Sequence, residues 1–310
     1  MSAEPIYPKA VDESDQEVAK ALVALFKLPD SAMESINESM KSMRISFAEA
    51  ALHTGLVTQS ELNAAQEWVR RQRLTEGRSI VEEALRRHSN RRDVVVWEGE
   101  RVVPGPELVL AHDPHCTRSE AMRTLRTELL MRTSGRRGAG IFAILSPNSG
   151  EGRSQLCAEL AIAFAQLGGR TLLVDADMRR PRLHSLFGAD NHIGLAQSLT
   201  DSDTQRLRGV EGVAQLALLT SGATPNNPLE LLSGSRFERT MADWRRAYEF
   251  VLIDTPPTSK FSDALTIATA AGNVITVGRT ASTSFSSLTE MQRKLETTRA
   301  RIVGGVINSF

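Results

Sequence analysis

The stretch that decides the fold runs from Gly140 to Pro181: G-I-F-A-I-L-S-P-N-S-G-E-G-R-S-Q-L-C-A-E-L-A-I-A-F-A-Q-L-G-G-R-T-L-L-V-D-A-D-M-R-R-P. Ile141 to Leu145 is uninterrupted and apolar, the pattern of a strand buried on both faces of a parallel sheet. Leu156, Leu160, Phe164 and Leu167 recur at helical spacing, and Gly168-Gly169 stops that helix. Thr171 to Val174 is a second buried strand, so the stretch reads as a βαβ unit with a right-handed crossover.

The first turn of that unit, Ser146 to Ser154, has the composition of an anion cradle. Gly150 and Gly152 admit backbone angles closed to other residues, and the following helix points its positive dipole end at the turn. Ser154 is placed to hold Mg²⁺. A phosphate-binding loop normally has lysine before that hydroxyl; here it is Arg153, a planar fork in place of a compact ammonium. Pro147 stands where the general motif has its first glycine. Two acidic tips strengthen the reading. Asp175 and Asp177 follow the second strand, and Phe250-Val-Leu-Ile-Asp254 repeats four apolar residues and a terminal carboxylate, the Walker-B way of holding Mg²⁺.

Several motifs in order carry a resemblance. Glu151-Gly-Arg153-Ser, the run from Asp175 to Pro181 with His184 and Phe187 after it, Gly222-Ala-Thr-Pro225-Asn-Asn-Pro228-Leu-Glu-Leu-Leu232 and Ile253-Asp254-Thr-Pro-Pro257 resemble the bacterial tyrosine kinases of exopolysaccharide synthesis. The likeness is greatest to the EpsG-type chain-length-determinant kinases, relatives of the ParA and MinD ATPases, and it runs from about Pro106 to Phe310. It implies a P-loop NTPase fold: a doubly wound, mostly parallel α/β sheet, preceded by a small helical N-terminal domain. It also implies ATP and Mg²⁺ as cofactors, self-assembly, and a transmembrane Wzz-like partner that recruits a cytoplasmic chain to the inner face of the plasma membrane. Glu120, Arg123 and Arg126 match the family's Glu-x-x-Arg-x-x-Arg oligomerisation element.

The same resemblance assigns roles. Ser149, Gly150, Glu151, Gly152, Arg153, Ser154 and Gln155 surround the phosphates, and Asn308 takes the adenine side. Ser154, Asp175 and Asp254 hold the metal, with Asp177 supporting its shell. Arg153 stands in for the lysine, and Asp175 orients or deprotonates the acceptor hydroxyl of a tyrosine. The sequence holds two tyrosines: Tyr248 precedes the Walker-B strand and reads as core, which leaves Tyr7 as the accessible acceptor. Family members usually end in a tyrosine-rich tail, whereas this sequence ends at Ile307-Asn-Ser-Phe310. Three readings stay open: a weakened tyrosine autokinase, an ATP-binding pseudokinase that regulates chain length by assembly, and a ParA/MinD-like positioning ATPase.

Lys+Arg 37 balances Asp+Glu 37 in 310 residues, so no global field recruits nucleic acid or a membrane. The length suggests two domains. Two cysteines, Cys116 and Cys157, and the lack of a spanning apolar stretch suit a reduced cytoplasmic chain. Residues 1–14 read as disordered and 15–103 as a helical docking or regulatory domain, with helices over Asp15–Leu28, Phe47–Thr54, Thr58–Arg73 and Ser79–His88 and a hairpin over Val94–Val103. Ser46 to Leu62 resembles the helical N-terminal domains of type II secretion ATPases, some of which bind cyclic di-GMP; Ser46 and Ala48 stand where those domains carry arginine and glycine, so a protein-interaction module is favoured over a nucleotide site. Pro104-Gly105-Pro106 starts an expected linker over 104–116, and 117–310 forms the nucleotide domain.

Overall fold

The computed structural model describes residues 13–43, 45–69, 99–133, 140–200 and 205–309. Tyr7, the Ser79–His88 helix and the Val94–Trp97 half of the expected hairpin lie outside the described residues. The chain forms two compact units, Met1–Arg78 and Ser79–Phe310.

The first unit is helical: α1 (Glu13–Phe26), α2 (Asp30–Met43), α3 (Phe47–His53) and α4 (59–69). Leu22, Ile36, Phe47, Ala50 and Leu62 share its core. Val18 and Leu22 bury as the periodicity of α1 predicts, whereas Leu25 and Phe26 stay exposed. Two reciprocal caps start the later helices. Ser46 and Glu49 cap α3, and the Thr58 N–H donates to Glu61 at 2.8 Å while the Glu61 N–H returns to the Thr58 hydroxyl at 3.3 Å. Helix α2 escapes the sequence reading because its Asp-Ser-Ala-Met-Glu-Ser composition has few strong apolar residues.

Among the described residues, the second unit is one eight-stranded sheet between two helical layers. Its strands are β1 (Arg101–Val102), β2 (Ile141–Leu145), β3 (Thr171–Asp175), β4 (Arg208–Val210), β5 (Val213–Leu219), β6 (Phe250–Asp254), β7 (Asn273–Arg279) and β8 (Arg301–Asn308), in spatial order β1-β4-β5-β3-β6-β2-β7-β8. All pairs are parallel except β4 with β5. The expected doubly wound sheet is therefore present, with a short reversed edge.

Alternation along the central strands explains the two layers. Phe142 and Ile144 of β2, Leu173 of β3 and Leu252 of β6 face one core. That core is covered by α6 (Thr117–Thr133) and α7 (Arg153–Ala165), with Phe164 stacked on Phe142 at 5.6 Å and 4.4 Å from Phe250. Ala143, Leu172, Val174, Val251 and Ile253 face the other core, with Trp244 of α11 (Ser235–Ala247), Ile267 of α12 (Asp263–Ala271) and Met291 of α13 (Phe285–Glu296). Strands buried on both sides carry no polar alternation, which is why they read as continuous apolar runs.

The expected linker and hairpin are different from their sequence reading. Arg101 and Val102 pair parallel with Gly209 and Val210, so β1 belongs to the sheet. Within 104–116, Leu108 and Leu110 are buried in the main core and α5 (Val109–His112) forms there. The segment is fastened to α7. Gln155 donates to Glu107 O at 2.8 Å, and the Glu159 carboxylate accepts from the N–H groups of Val109 and Leu110 at 2.8 and 3.0 Å. Proline and glycine mark the turn correctly but are silent about the leucines after it.

Candidate functional site

The strand order brings one set of loops together. From β2 the chain crosses through α7 to β3, passing over β6, and from β6 it returns through α12 to β7 on the far side of β2. The ends of β2, β3 and β6 therefore open on one crevice, the place where α/β sheets bind ligands. Asp175 and Asp254 are register partners there.

The loop after β2 has the backbone the glycines predict. Gly150 has φ 80° and Gly152 has φ 89°, the latter capping α7. A Cβ on Gly150 would meet nothing, so its requirement is conformational rather than steric. Ser149 and Gly150 are exposed at the mouth, and Ser154 is half-buried beside Asp254.

Arg153 does not point out of the loop. It is buried, and its guanidinium donates to Thr255 O at 2.8 Å, to Asn148 O at 2.6 Å and to the Ser146 hydroxyl. It braces the loop against the tip of β6 and lies close enough to Asp254 and Asp177 to favour their charged forms. Five donors in a rigid fork find acceptors in the fold that an ammonium would reach less well.

The three carboxylates differ. Asp175 accepts from the N–H groups of Asp177 (3.2 Å), Arg182 (3.0 Å) and Leu183 (2.9 Å), the last two starting α8 (Leu183–Leu186). Burial and the facing Asp254 push its carboxyl well above the usual range, against those bonds. Asp177 accepts from the N–H groups of Arg179 at 3.3 Å and Arg180 at 2.9 Å, and burial raises it as well. Asp254 accepts from the Thr255 N–H at 3.1 Å through one oxygen, while the other is buried without a hydrogen-bond partner among the described residues. Burial raises it to about 6, with Arg153 and Ser154 pulling the other way.

An orphaned buried carboxylate oxygen next to a hydroxyl is a donor set suited to a hard cation. Among the described residues, no three His, Cys, Asp or Glu side chains are arranged to hold a metal ion by themselves. Mg²⁺ takes one or two protein oxygens and completes its shell with water and phosphate. The residues present fit the ion and its nucleotide.

The comparisons with known proteins fall on this unit. The family model for the cellulose biosynthesis protein BcsQ matches residues 141–303. The tyrosine-protein kinase YwqD of Bacillus subtilis is 32% identical over 202 residues, covering 65% of this chain and 85% of that protein. The chain belongs to the bacterial tyrosine-kinase family. A second member of that family, the putative tyrosine-protein kinase CapB of Staphylococcus aureus, is 32% identical over 64% of this chain and 88% of its own length. The putative tyrosine-protein kinase EpsB of Ralstonia nicotianae is 35% identical, but the matched part is only 27% of that protein. Among solved family structures, the chimerical protein CapA2B2 superposes with TM-score 0.62 at 31% identity, covering 67% of this chain and 92% of that one. The kinase domain of the Escherichia coli tyrosine kinase ETK gives TM-score 0.62 at 27% identity, covering 65% and 79%.

Other residues singled out in the sequence fall less simply within the family fold. Gln155 points to Glu107 rather than to the loop mouth. Asn308 donates its amide to Glu151 O at 2.8 Å, so it ties the loop to the tip of β8. In α6, Arg123 pairs with Glu120 on the surface, but Arg126 is buried and donates to Ala163 O at 2.8 Å. Burial lowers it to about 10. Arg126 thus joins α6 to α7 within one chain, a correction to the expectation that all three residues face a neighbour. Arg179 is clamped by Asp263 at 2.5 and 3.3 Å and stacks over Phe261 at 4.1 Å. Thr283 and Asn148, which contact Glu151, carry no motif and were missed.

Proposed function

We propose that the chain binds ATP with Mg²⁺ at the loop after β2 and is a tyrosine-autokinase-type regulator of exopolysaccharide chain length, polymerisation or export with attenuated phosphotransfer. The observation that carries this is the orphaned, buried oxygen of Asp254 beside Ser154, at the foot of a loop with two left-handed glycines. Mg²⁺ when bound would neutralise charge on the triphosphate. Backbone amides of Gly150 to Ser154 bind phosphate oxygens, and Ser154 and Asp254 provide metal ligands directly or through water. Asp175 orients the acceptor hydroxyl, its proton affinity raised by burial. Asn308 would take the adenine side.

The inward engagement of Arg153 supports attenuation, because three acceptors inside the fold compete with the phosphates for its charge. The same observation favours the second reading, a pseudokinase that binds ATP and acts through assembly. The partner is a transmembrane chain-length-determinant protein; among the described residues no helix is long and apolar enough to cross a membrane. Calorimetric titration with ATP, with and without Mg²⁺, followed by phosphotyrosine mass spectrometry of protein expressed with that partner, tests both. Binding with phosphotyrosine selects the autokinase, binding without it the pseudokinase, and no binding at millimolar ATP ends both readings.

A further inference from the structure

The loop is also fastened from a side that no motif marks. Glu151 is 1% exposed, and its carboxylate accepts from the Asn148 N–H at 2.7 Å, the Asn148 side-chain amide at 3.1 Å and the Thr283 hydroxyl at 2.5 Å. Thr283 lies in the turn between β7 and α13. Its oxygen accepts from the Arg279 N–H at 2.7 Å, which orients its own proton toward Glu151. The result is a relay of mutually polarising bonds from the tip of β7 into the loop.

Two further bonds converge on the same backbone. Glu151 O accepts from Asn308 at 2.8 Å, and the Arg279 guanidinium reaches Gly150 O at 3.4 Å. The turn carrying Thr283 is itself held in a costly shape: Ala281 has φ 58°, and the Thr280 N–H donates to Asn308 O at 2.8 Å. A non-glycine residue in that region persists only where its surroundings over-determine it.

We propose that Thr283 and Glu151 are positioning residues that hold residues 148–151 in the conformation that receives the nucleotide. The proposal rests on the ATP-binding reading above. A loop with two left-handed glycines has many alternative conformations, and ordering it on binding would weaken affinity. Fastening it beforehand removes that cost. Thr283→Val keeps the side-chain shape and deletes the hydroxyl, leaving a buried Glu151 oxygen short of a donor. Thr283→Ser keeps the hydroxyl.

The test has two arms on the full-length protein. Hydrogen exchange without nucleotide, read on peptides covering 146–154, is expected to rise at least about fivefold in Thr283→Val and to return to the wild-type rate in Thr283→Ser, with β3 unchanged in both. Titration with ATP and Mg²⁺ is expected to show about tenfold weaker binding for Thr283→Val and binding within about twofold of wild type for Thr283→Ser. Unchanged exchange in Thr283→Val overturns the proposal, as does failure of Thr283→Ser to restore it or a valine variant that binds ATP as tightly as wild type. If the wild-type protein ignores ATP, the kinase-type reading falls and the proposal falls with it as a nucleotide device; the exchange arm then reports only whether the fastening exists.

Discussion

At the tip of β3, the Asp175 carboxylate meets three backbone N–H groups; one strand over, at the register-matched tip of β6, Asp254 meets one and keeps an oxygen that meets none. Both are fully buried and both are pushed upward by that burial. The difference lies in what their acceptors do. Asp175 spends them on starting α8 and shaping the Asp175–Leu183 loop, so its acceptors hold local structure even though burial opposes its charge. Asp254 gives the fold little in return for its desolvation, and that is the profile of a group kept for a ligand. Position and residue type are the same for the two; the local donors separate their roles.

Replacing each by asparagine is the sharpest way to break this comparison. Asp254→Asn is expected to weaken Mg²⁺-dependent ATP binding by about 100-fold or more, read by calorimetry, because a neutral amide is a poor ligand for a hard cation. Asp175→Asn is expected to lower folding stability by about 1–2 kcal/mol in denaturant titration, since an amide N–H would face a backbone N–H. Without nucleotide, Asp254→Asn should do the opposite and raise the melting temperature at pH 8 by about 2–4 °C.

The sign of that last effect follows from linkage. Asp254 has a folded-state value of about 6 against the model-peptide 3.8, so the folded form binds its proton more readily than the unfolded form. Its contribution to stability therefore worsens as pH rises from near 4 through about 6 and is fully unfavourable above that. The stability gain of Asp254→Asn should hold from pH 8 down to about 6, shrink below that and vanish near 4, as thermal melts across that range would show. By the same protonation, wild-type affinity for ATP with Mg²⁺ should fall below pH 6 by up to about tenfold per unit. Arg153→Lys sharpens the comparison from the neighbouring side. It should raise phosphotransfer or ATP hydrolysis, measured with labelled ATP, while costing about 1 kcal/mol of stability through lost bonds to Thr255 and Asn148. The smallest effect is expected at Ala281, where Ala281→Gly should change stability by less than about 1 kcal/mol, in the stabilising direction.

What was legible in the sequence were the features that depend on short-range pattern. The apolar runs of β2, β3 and β6 announce strands covered on both faces, and the carboxylates at their ends sit where the runs stop. The Thr58–Glu61 cap is likewise local. The loop's partners were not legible, because Thr283 and Asn308 approach Glu151 only after the sheet has set β7 and β8 beside β2. Arg126 was misread for a related reason. A charged residue on a helix reads as solvated or as a subunit contact unless a carbonyl such as Ala163 O is known to face it. Strand β4 has only Arg208-Gly-Val210, and its Arg208, wholly buried, is neutralised by Glu100 and Asp190 from two distant segments.

The attachment of 105–110 to α7 has a practical consequence for anyone dissecting the molecule. Cutting at Pro104-Gly105-Pro106, the place a sequence reader would choose, removes β1 and with it the pairing to Gly209 and Val210. Cutting a few residues later strips Leu108 and Leu110 from the core and strands the Glu159 carboxylate, which burial already makes harder to ionise, without its two N–H donors. A shortened protein intended to bind nucleotide should therefore begin no later than Gly99.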